Sequence, residues 1–554
     1  RCRRCRRCRR CRKQLGHCGR QPGVILTVDL GTSVTKVVVW GDDGPVAVGR
    51  SALRCTYSAG NRVEQDPGTW WPSVVDACQE ARAEMGARAG AILGAVGALG
   101  FAAARQTFVP VAADATPLGP ALVWSDRRAA TEAFALAQSF GEEGADVVRR
   151  RTGVVLDAGS VAAKFAWLEH NDPATLRAAR WLLAPRDLVA WRLIGDVTTD
   201  QTLASATGLF EMSDGGLGPL LPGLADVVAD LLPDAVPSDT VVGGLLGGPA
   251  EELGLAAGIP VVIGAGDRAC EVLGAGSSEA WPMVSWGTTA NVSVPVRHRL
   301  EPPRSVIVTR GALGGWLLEG GLSAAGSLVD WLARLGGVDA ASLMGRARSS
   351  PPGARGVIAL PWLGGARAPW WRDTARGAVV GLSFDHGIGD MARAVVESVA
   401  WDVKRCLESV TEARTGTGTG TSRPEGLVLG GGGASVALWP EILTAVTGLR
   451  AFRRRSGEAA SAGAAILAAK ATGVHLGQGA EVRTGTAAEL RTGAGGGAGA
   501  ADQAPHLDAD LSLFLERVDP VDAEISPDAT TVACYEKLRP AADAAAAAVI
   551  ELGR

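Results

Sequence analysis

Asp29-Leu-Gly-Thr-Ser-Val-Thr-Lys36 sets a carboxylate, a glycine, hydroxyl side chains and a lysine directly after the apolar run Val24-Ile-Leu-Thr-Val28. In a tight turn, Gly31, Thr32 and Ser33 would offer backbone N–H groups and hydroxyls to phosphate oxygens, with Lys36 as a nearby cation. Asp29 could orient hydrated Mg2+ there. Hairpin turns favour the same residue types, so an ordinary turn is the plain alternative. A second loop of this kind, Ser285-Trp-Gly-Thr-Thr-Ala-Asn291, brings Gly287 and Thr288 after another apolar strand. A third apolar run, Gly426-Leu-Val-Leu429, leads into four glycines. Without side chains, Gly431, Gly432 and Gly433 let a flat base or ribose lie against the backbone. Three loops of this chemistry in one chain point to nucleotide phosphates.

The elements that position these loops alternate between strand and helix, as an α/β protein requires. Val24–Val28 and Lys36–Trp40 read as strands, and Gly41-Asp-Asp-Gly44 as a hairpin reversal. Helices are expected near Thr69–Met85, Ala129–Phe140 and Leu176–Arg180, a short strand at Leu182–Leu183, and a further strand-turn-strand unit over Pro260–Asn291. The segment Ala89–Ala104 reads as a buried strand with flanking turns. Gly/Thr-rich 414–421 and Gly/Ala-rich 493–501 read as exposed loops or linkers. Tyr535–Leu552 reads as a closing helix. A domain boundary is expected near Gly258–Gly276, where two nucleotide-type loops face each other across a cleft.

At 554 residues, 47% hydrophobic and 20% charged, the chain suits two large folded domains and excludes wholesale disorder. No apolar run reaches the roughly 18–20 residues of a membrane helix, so no membrane partner is expected. The first twenty residues hold nine Arg and one Lys with no acid, which leaves the rest acidic and argues against nucleic acid as a partner. That tract, with Cys2, Cys5, Cys8 and Cys11, lacks the two separated pairs of a structural zinc site and the apolar stretch of a secretory signal. It reads as disordered. The remaining cysteines lack framework spacing and suit reduced thiols in a cytoplasm.

Taken in order, the three loops resemble the FGGY carbohydrate kinases, of the actin, Hsp70 and hexokinase fold superfamily, over about Gly23 to Gly473. The stretch Gly377-Ala-Val-Val-Gly-Leu382, followed after seven residues by Asp390-Met-Ala-Arg-Ala-Val-Val-Glu397, resembles a signature of that family. Glu64-Gln-Asp-Pro67 with Trp70 and Trp71, Trp124-Ser-Asp-Arg-Arg128, Arg151-Thr-Gly153 leading to Lys164, and Gly457-Glu-Ala-Ala-Ser-Ala-Gly463 are also family-like. The resemblance implies that Asp267, in Gly264-Ala-Gly-Asp267, is the general base. Taken alone, Asp267 could equally be a helix N-cap. The rival reading of Gly264-x-Gly266-x-x-Ala269 is a dinucleotide fingerprint, which needs an acid after the next strand. Met283–Trp286 ends instead in Gly287 and Thr288, and that rival leaves Asp29 and the glycine run unexplained.

The resemblance also assigns a substrate side. Arg105 and Gln106, in Gly100-Phe-Ala-Ala-Ala-Arg-Gln-Thr107, match the glycerol-kinase segment that binds substrate hydroxyls, where xylulokinases carry Met-His-Gly. Where glycerol kinases narrow the pocket with Tyr, this chain has Gly159, as xylulokinases do, which opens space for a longer polyol or ketose. Arg268, after the base, either contacts hydroxyls or a carboxylate, or pairs with Glu271 along its helix.

The implied fold is α/β, with two ribonuclease-H-like domains flanking a catalytic cleft. Residues 21–265 would form the first domain, 266–485 the nucleotide-binding second, and 486–554 a linker and C-terminal helix. The implied activity is ATP-dependent, Mg2+-assisted phosphorylation of a small sugar, most like the xylulokinase branch, with a homodimer left open. A catalytically silent sugar sensor on the same fold is the other class, but a binding module needs neither Asp29 nor Asp267.

Overall fold

The computed structural model describes residues 23–213, 215–221, 229–302, 304–372, 374–415, 423–474 and 509–552. The Arg/Cys tract, most of the Gly/Thr-rich segment and the whole Gly/Ala-rich segment lie outside the described residues.

The first large sheet starts with an antiparallel meander, β1 (Val24–Leu30), β2 (Val34–Gly41) and β3 (Gly44–Ala52), turned at the expected Asp42-Asp43 hairpin. On β1 and β2, Ile25, Val28 and Val37 to Val39 are buried on both faces, so those runs are nearly continuous, whereas burial on the edge-side β3 alternates. β4 (Val96–Ala103) lies parallel to β1. Beyond it come β5 (Val241–Gly244) and β6 (Pro260–Gly266), in the order β5-β6-β4-β1-β2-β3.

The second sheet repeats this wiring. β7 (Met283–Trp286), β8 (Ala290–Val296) and β10 (Trp316–Gly321) form its meander, with β9 (Ile307–Arg310) at the edge. β11 (Gly426–Gly430) and β12 (Arg450–Arg454) follow parallel to β7. With additional edge strands such as β5 and β9 set aside, both sheets share a 3-2-1-4-5 wiring and form the two-domain actin/hexokinase-type fold.

Helices cover both sheets. α1 (Trp70–Met85) crosses β3 so closely that a Cβ on Gly49 would lie 1.8 Å from the Ala77 carbonyl oxygen. α2 (Asp267–Ala275) leads from β6 toward the second sheet. α3 (Gly326–Leu335) and α4 (Ile388–Thr415) pack into the second domain's core. α5 (Ala459–Thr472) belongs by sequence to the second half, yet its Ala462, Ala465, Ile466 and Ala468 pack on Ile25, Val38, Trp40 and Ala98 of the first sheet. Each large apolar side chain buried there contributes about 1.5–3 kcal/mol. Trp40 Nε1 donates to Thr27 Oγ1 at 3.0 Å and to Ser461 Oγ at 3.3 Å, which satisfies the polar groups trapped under the helix.

Several expectations need correction. Ala89–Ala104 holds a helical turn, Ala89–Gly94, before β4, because a single strand would need period-two or continuous burial that Gly90 and Gly94, both exposed, do not provide. The helix near Leu176 begins earlier, at Pro173, where Asp172 caps it and Pro occupies the first turn. The tail is more than a closing helix: β13 (Val521–Ile525) extends the second sheet beside β12 before α6 (Ala529–Leu552). Alternating apolar and acidic residues, Val521-Asp-Ala-Glu-Ile525, were the available signal for that edge strand.

α2 and α5 cross at glycines. A Cβ on Gly274 would lie 1.9 Å from the Ala459 oxygen, and one on Gly463 would lie 2.0 Å from the Cys270 oxygen. Gly463→Ala must force these backbones apart and is expected to cost at least the roughly 1–3 kcal/mol typical of overpacking. Gly90→Ala, whose Cβ meets nothing within 4 Å, should be neutral or slightly stabilising. Paired thermal melts test this, and equal melting of the two variants would contradict the close crossing.

Candidate active site

Parallel strands end at the same sheet edge, and this brings the expected residues together. β1, β4 and β6 run parallel with Asp29 opposite Ala102 and Ala103 opposite Gly266, so Asp29, Arg105 and Asp267 emerge along one edge. In the second sheet Ser285 pairs with Gly430, which sets the loops at Gly287-Thr288 and Gly431–Gly433 side by side. α2 links the two edges: its Glu271 pairs with Arg268 and accepts a hydrogen bond from Ser285 Oγ at 2.5 Å.

Asp29 is in β1 rather than in the turn, directly opposite Lys36 of β2. It is half-buried. Burial, helped by Asp267, Glu458 and Glu271, outweighs Lys36 and pushes its carboxyl up to about 7. Burial also pulls Lys36 down, but Glu458 and Asp29 outweigh it and hold the ammonium above its ordinary value. Lys36 Nζ lies 2.8 Å from Glu458 Oε2, and Arg50 Nη2 lies 2.6 Å from Glu458 Oε1, so the Lys36 charge is already shared across the cleft. Gly31 to Ser33 make the tight turn. Thr32 accepts hydrogen bonds from Trp124 Nε1 on its hydroxyl (3.1 Å) and from Gln65 Nε2 on its carbonyl (2.9 Å), while Ser33 is exposed.

Gly287 and Thr288 are exposed, and their carbonyls accept N–H groups from Gly326 and Ser327 at the start of α3. Gly431 has φ +77°, and a Cβ there would lie 2.4 Å from the Trp286 oxygen, so this position requires glycine. Gly432 has open space around its Cα, and Gly433 again faces the Trp286 carbonyl. Beside this run is a cavity of about 280 Å3 lined by Gly430, Gly431, Ser435, Arg453, Arg455 and Gly457, among others. Its size, its side-chain-free wall and its cations fit a nucleotide. Among the described residues no group of three or more His, Cys, Asp or Glu could cage a metal. Asp29 offers a partly desolvated carboxylate at the phosphate edge, which fits Mg2+ held mainly by phosphates and water.

Asp267 is the first residue of α2. Gly266 holds the cap position, and Asp267 Oδ1 accepts the Arg268 backbone N–H at 2.6 Å, so one carboxylate oxygen steadies the first turn of the helix. At 44% exposure it is open to a ligand, with Arg105 Nε 3.4 Å from its Oδ1. Gln106 has φ +57°. Its side chain donates to the Ala206 carbonyl at 3.1 Å, and its own carbonyl lies 3.4 Å from Lys164 Nζ. Burial pushes the Lys164 ammonium down to about 7.

Two substrate-side expectations change. Arg268 pairs with Glu271 along α2, the second of the two readings, and its charge also helps to hold the Glu319 carboxyl down. The space released at Gly159 is partly filled, because a Cβ there would lie 3.2 Å from the Arg127 guanidinium. Arg127 in turn pairs with Asp157 at 2.5 Å. Burial raises the Asp157 carboxyl, but Arg127 and Arg367 outweigh it and hold it below the usual carboxylate range. The pocket is therefore re-lined with a cation and a carboxylate rather than emptied. Glu319 was missed altogether. A lone acid in the apolar strand Trp316-Leu-Leu-Glu-Gly-Gly321 was its only signal.

Twin sheets joined at their carboxyl edges, with a carboxylate on one side and glycine loops on the other, define a nucleotide-dependent phosphotransferase of the actin and hexokinase fold. More narrowly, the chain belongs to the FGGY family of carbohydrate kinases: the family's N-terminal domain matches residues 24–274 and its C-terminal domain residues 283–472. It is similar to the xylulose kinase of Escherichia coli K12, 29% identical over 448 residues (80% of this chain, 88% of the relative). It is as similar to the glycerol kinase of Leptothrix cholodnii, 32% identical over 474 residues (82% and 91%). A ligand-bound xylulose kinase structure from Lactobacillus acidophilus superposes with TM-score 0.79 at 20% identity, covering 95% of this chain and 98% of that one, and so supports the fold. As a family member the chain is an ATP-dependent kinase of a sugar or polyol.

Asp29 gives a sign-specific prediction. With a folded value near 7 against 3.8 when free, the folded state keeps a proton that the unfolded state releases, so stability falls as pH rises from about 4 to about 7. In chelator-treated, metal-free protein, Asp29→Asn should melt a few degrees above wild type at pH 8, and the gap should close toward pH 4. A gap independent of pH, or a lower-melting variant at pH 8, would contradict the assignment.

Proposed function

We propose that this kinase phosphorylates a hydroxyl of a five-carbon or longer sugar, a ketopentose such as xylulose being the best candidate, with Asp267 as general base. The observation carrying this reading is Asp267: an exposed carboxylate on the first turn of α2, beside Arg105 and between the two loop-bearing edges. Asp267 accepts the proton of the attacking hydroxyl. The two N–H groups of Arg105 not used by its partners, together with the Gln106 carboxamide, orient the remaining hydroxyls. The loops Gly31–Ser33 and Gly287–Thr288 hold phosphate oxygens with Lys36 as the nearby cation, Gly431–Gly433 accept the nucleotide base, and Asp29 would hold Mg2+ brought in on the phosphates. Bound ATP supplies the phosphoryl group that these residues align, and closure of the cleft excludes water as a competing acceptor. Gly159 supports the longer substrate, and the Arg127–Asp157 pair beside it offers donors and acceptors to hydroxyls beyond the third carbon.

Two measurements test this. A screen of glycerol, pentitols, ketopentoses and aldonates with ATP and Mg2+ should give the highest kcat/KM on a ketopentose. Glycerol as clear favourite defeats the length argument, and turnover of none moves the protein to the sensor class. On the best substrate, Asp267→Asn should lower kcat about 10²- to 10⁴-fold, roughly 3–5 kcal/mol of barrier, with ATP affinity and melting temperature near wild type. Near-normal turnover in that variant removes Asp267 as the base.

A further inference from the structure

We propose that Glu319, a buried carboxylate of the second sheet, is a positioning residue that holds Arg105 beside Asp267, so that the reacting end of the cleft is complete only when the two domains are together. The proposal rests on the roles given above to Asp267 and Arg105.

Glu319 lies in the middle of β10, and its side chain is only 1% exposed. Arg105 reaches it from the other domain, from the segment after β4. Nη1 donates to Oε1 at 2.7 Å and Nη2 to Oε2 at 2.6 Å, the fork-on-fork geometry that fixes a guanidinium plane. Thr309 Oγ1 on β9 donates a third hydrogen bond to Oε1 at 2.7 Å. Burial alone raises the Glu319 carboxyl, but Arg105 outweighs it and holds it below the usual carboxylate range, so the pair is ionised. The Arg105 stem is fixed separately: a Cβ on Gly266 would lie 2.8 Å from its Cγ and Cδ, so glycine there lets the chain lie flat on the end of β6. With stem and fork both held, Nε falls 3.4 Å from Asp267 Oδ1, and the outer N–H of each terminal nitrogen is left for a substrate hydroxyl.

Separating the domains would leave Glu319 hydrogen-bonded to Thr309 with only the more distant Arg268 charge beside it, an unfavourable state for a buried carboxylate. Arg105 would lose its fixed plane in the same movement. Closure and alignment of the substrate-binding arginine are therefore one event. A bridge that merely tied the domains together would need no third contact with an exposed carboxylate of the reacting end.

Glu319→Gln keeps the side-chain volume and removes the charge. On the best polyol, kcat should fall about 10- to 100-fold and KM for the polyol should rise, while ATP affinity by calorimetry stays within about twofold of wild type. Arg105→Gln combined with Glu319→Gln should lose little more than Arg105→Gln alone, because the two residues act as a unit. If Glu319→Gln does not fold, Thr309→Val, which loosens the carboxylate without altering charge, should reproduce the same kcat and KM pattern at smaller size. Normal kinetics in folded Glu319→Gln, or in Thr309→Val when Glu319→Gln does not fold, or fully additive losses with Arg105→Gln, overturn the positioning role and leave the kinase reading intact. A wild type inactive on every polyol overturns the kinase reading and the proposal with it.

Discussion

The crossing of α2 over α5 is the constraint on which the rest depends. Gly274 and Gly463 let the two backbones approach to a separation that no side chain allows. The crossing ties the helix that follows the first sheet to a helix that returns from the second half to cover that first sheet. Each domain thus borrows an element from the other's stretch of sequence. The cleft floor is built from this exchange: Asp267 and Glu271 project from α2, and Glu458, immediately before α5, reaches Lys36 and Arg50 on β2 and β3. A shift of the crossing would move carboxylates on both sides of the site at once.

Charge in the cleft follows the same division. Two of the cleft's ion pairs join distant sequence, Arg105 with Glu319 and Lys36 with Glu458, while Arg127 with Asp157 and Arg268 with Glu271 lie within shorter stretches. Buried charges of this kind contribute little net stability, since desolvation offsets most of the attraction. What they supply is definition, because each fixes the direction of a side chain that a ligand must meet. Asp29 is the exception. Its single cation is shared with Glu458, three other acids are nearby, and its carboxyl is correspondingly reluctant to ionise. Such a group is poised to gain from a divalent cation brought in on phosphate.

The strands and the loops at their ends were legible because their signals are local. A Val-rich run followed by Asp-x-Gly-Thr-Ser, or by four glycines, encodes its conformation within a dozen residues, and the parallel pairing of β1 with β4 and of β7 with β11 does the rest. Asp267 was legible through the glycines before it, although its position as first helical residue rather than cap was not, since both begin the same helix. Glu319 and the fate of Arg268 were illegible for a different reason. The choice Arg268 makes between a ligand and Glu271 depends on side-chain packing one turn along α2. Glu319 acquires its meaning from an arginine 214 positions away. The edge strand β13 was hidden because its pairing partner is defined only once the second sheet exists.

Much of this fold has no part in choosing the sugar. The phosphate turn, the glycine run and the α2–α5 crossing serve the binding of ATP between twin sheets, not the choice of sugar. On the reading proposed above, the sugar meets a shorter list drawn from the first domain: the Arg105-Gln106 segment, Arg127, Asp157 and Gly159. There the chain combines an Arg105 segment like that of glycerol kinases with a Gly159 like that of xylulokinases, which fits overall likeness to both. The Gly159 change cannot be read singly, since the Arg127 guanidinium lies where a larger residue would have to go. A tyrosine at 159 would displace Arg127 from Asp157, leaving that carboxylate to Arg367 across the cleft. Pocket size and pocket charge are therefore coupled at this position, because any side chain at 159 competes with the Arg127 guanidinium for the same space.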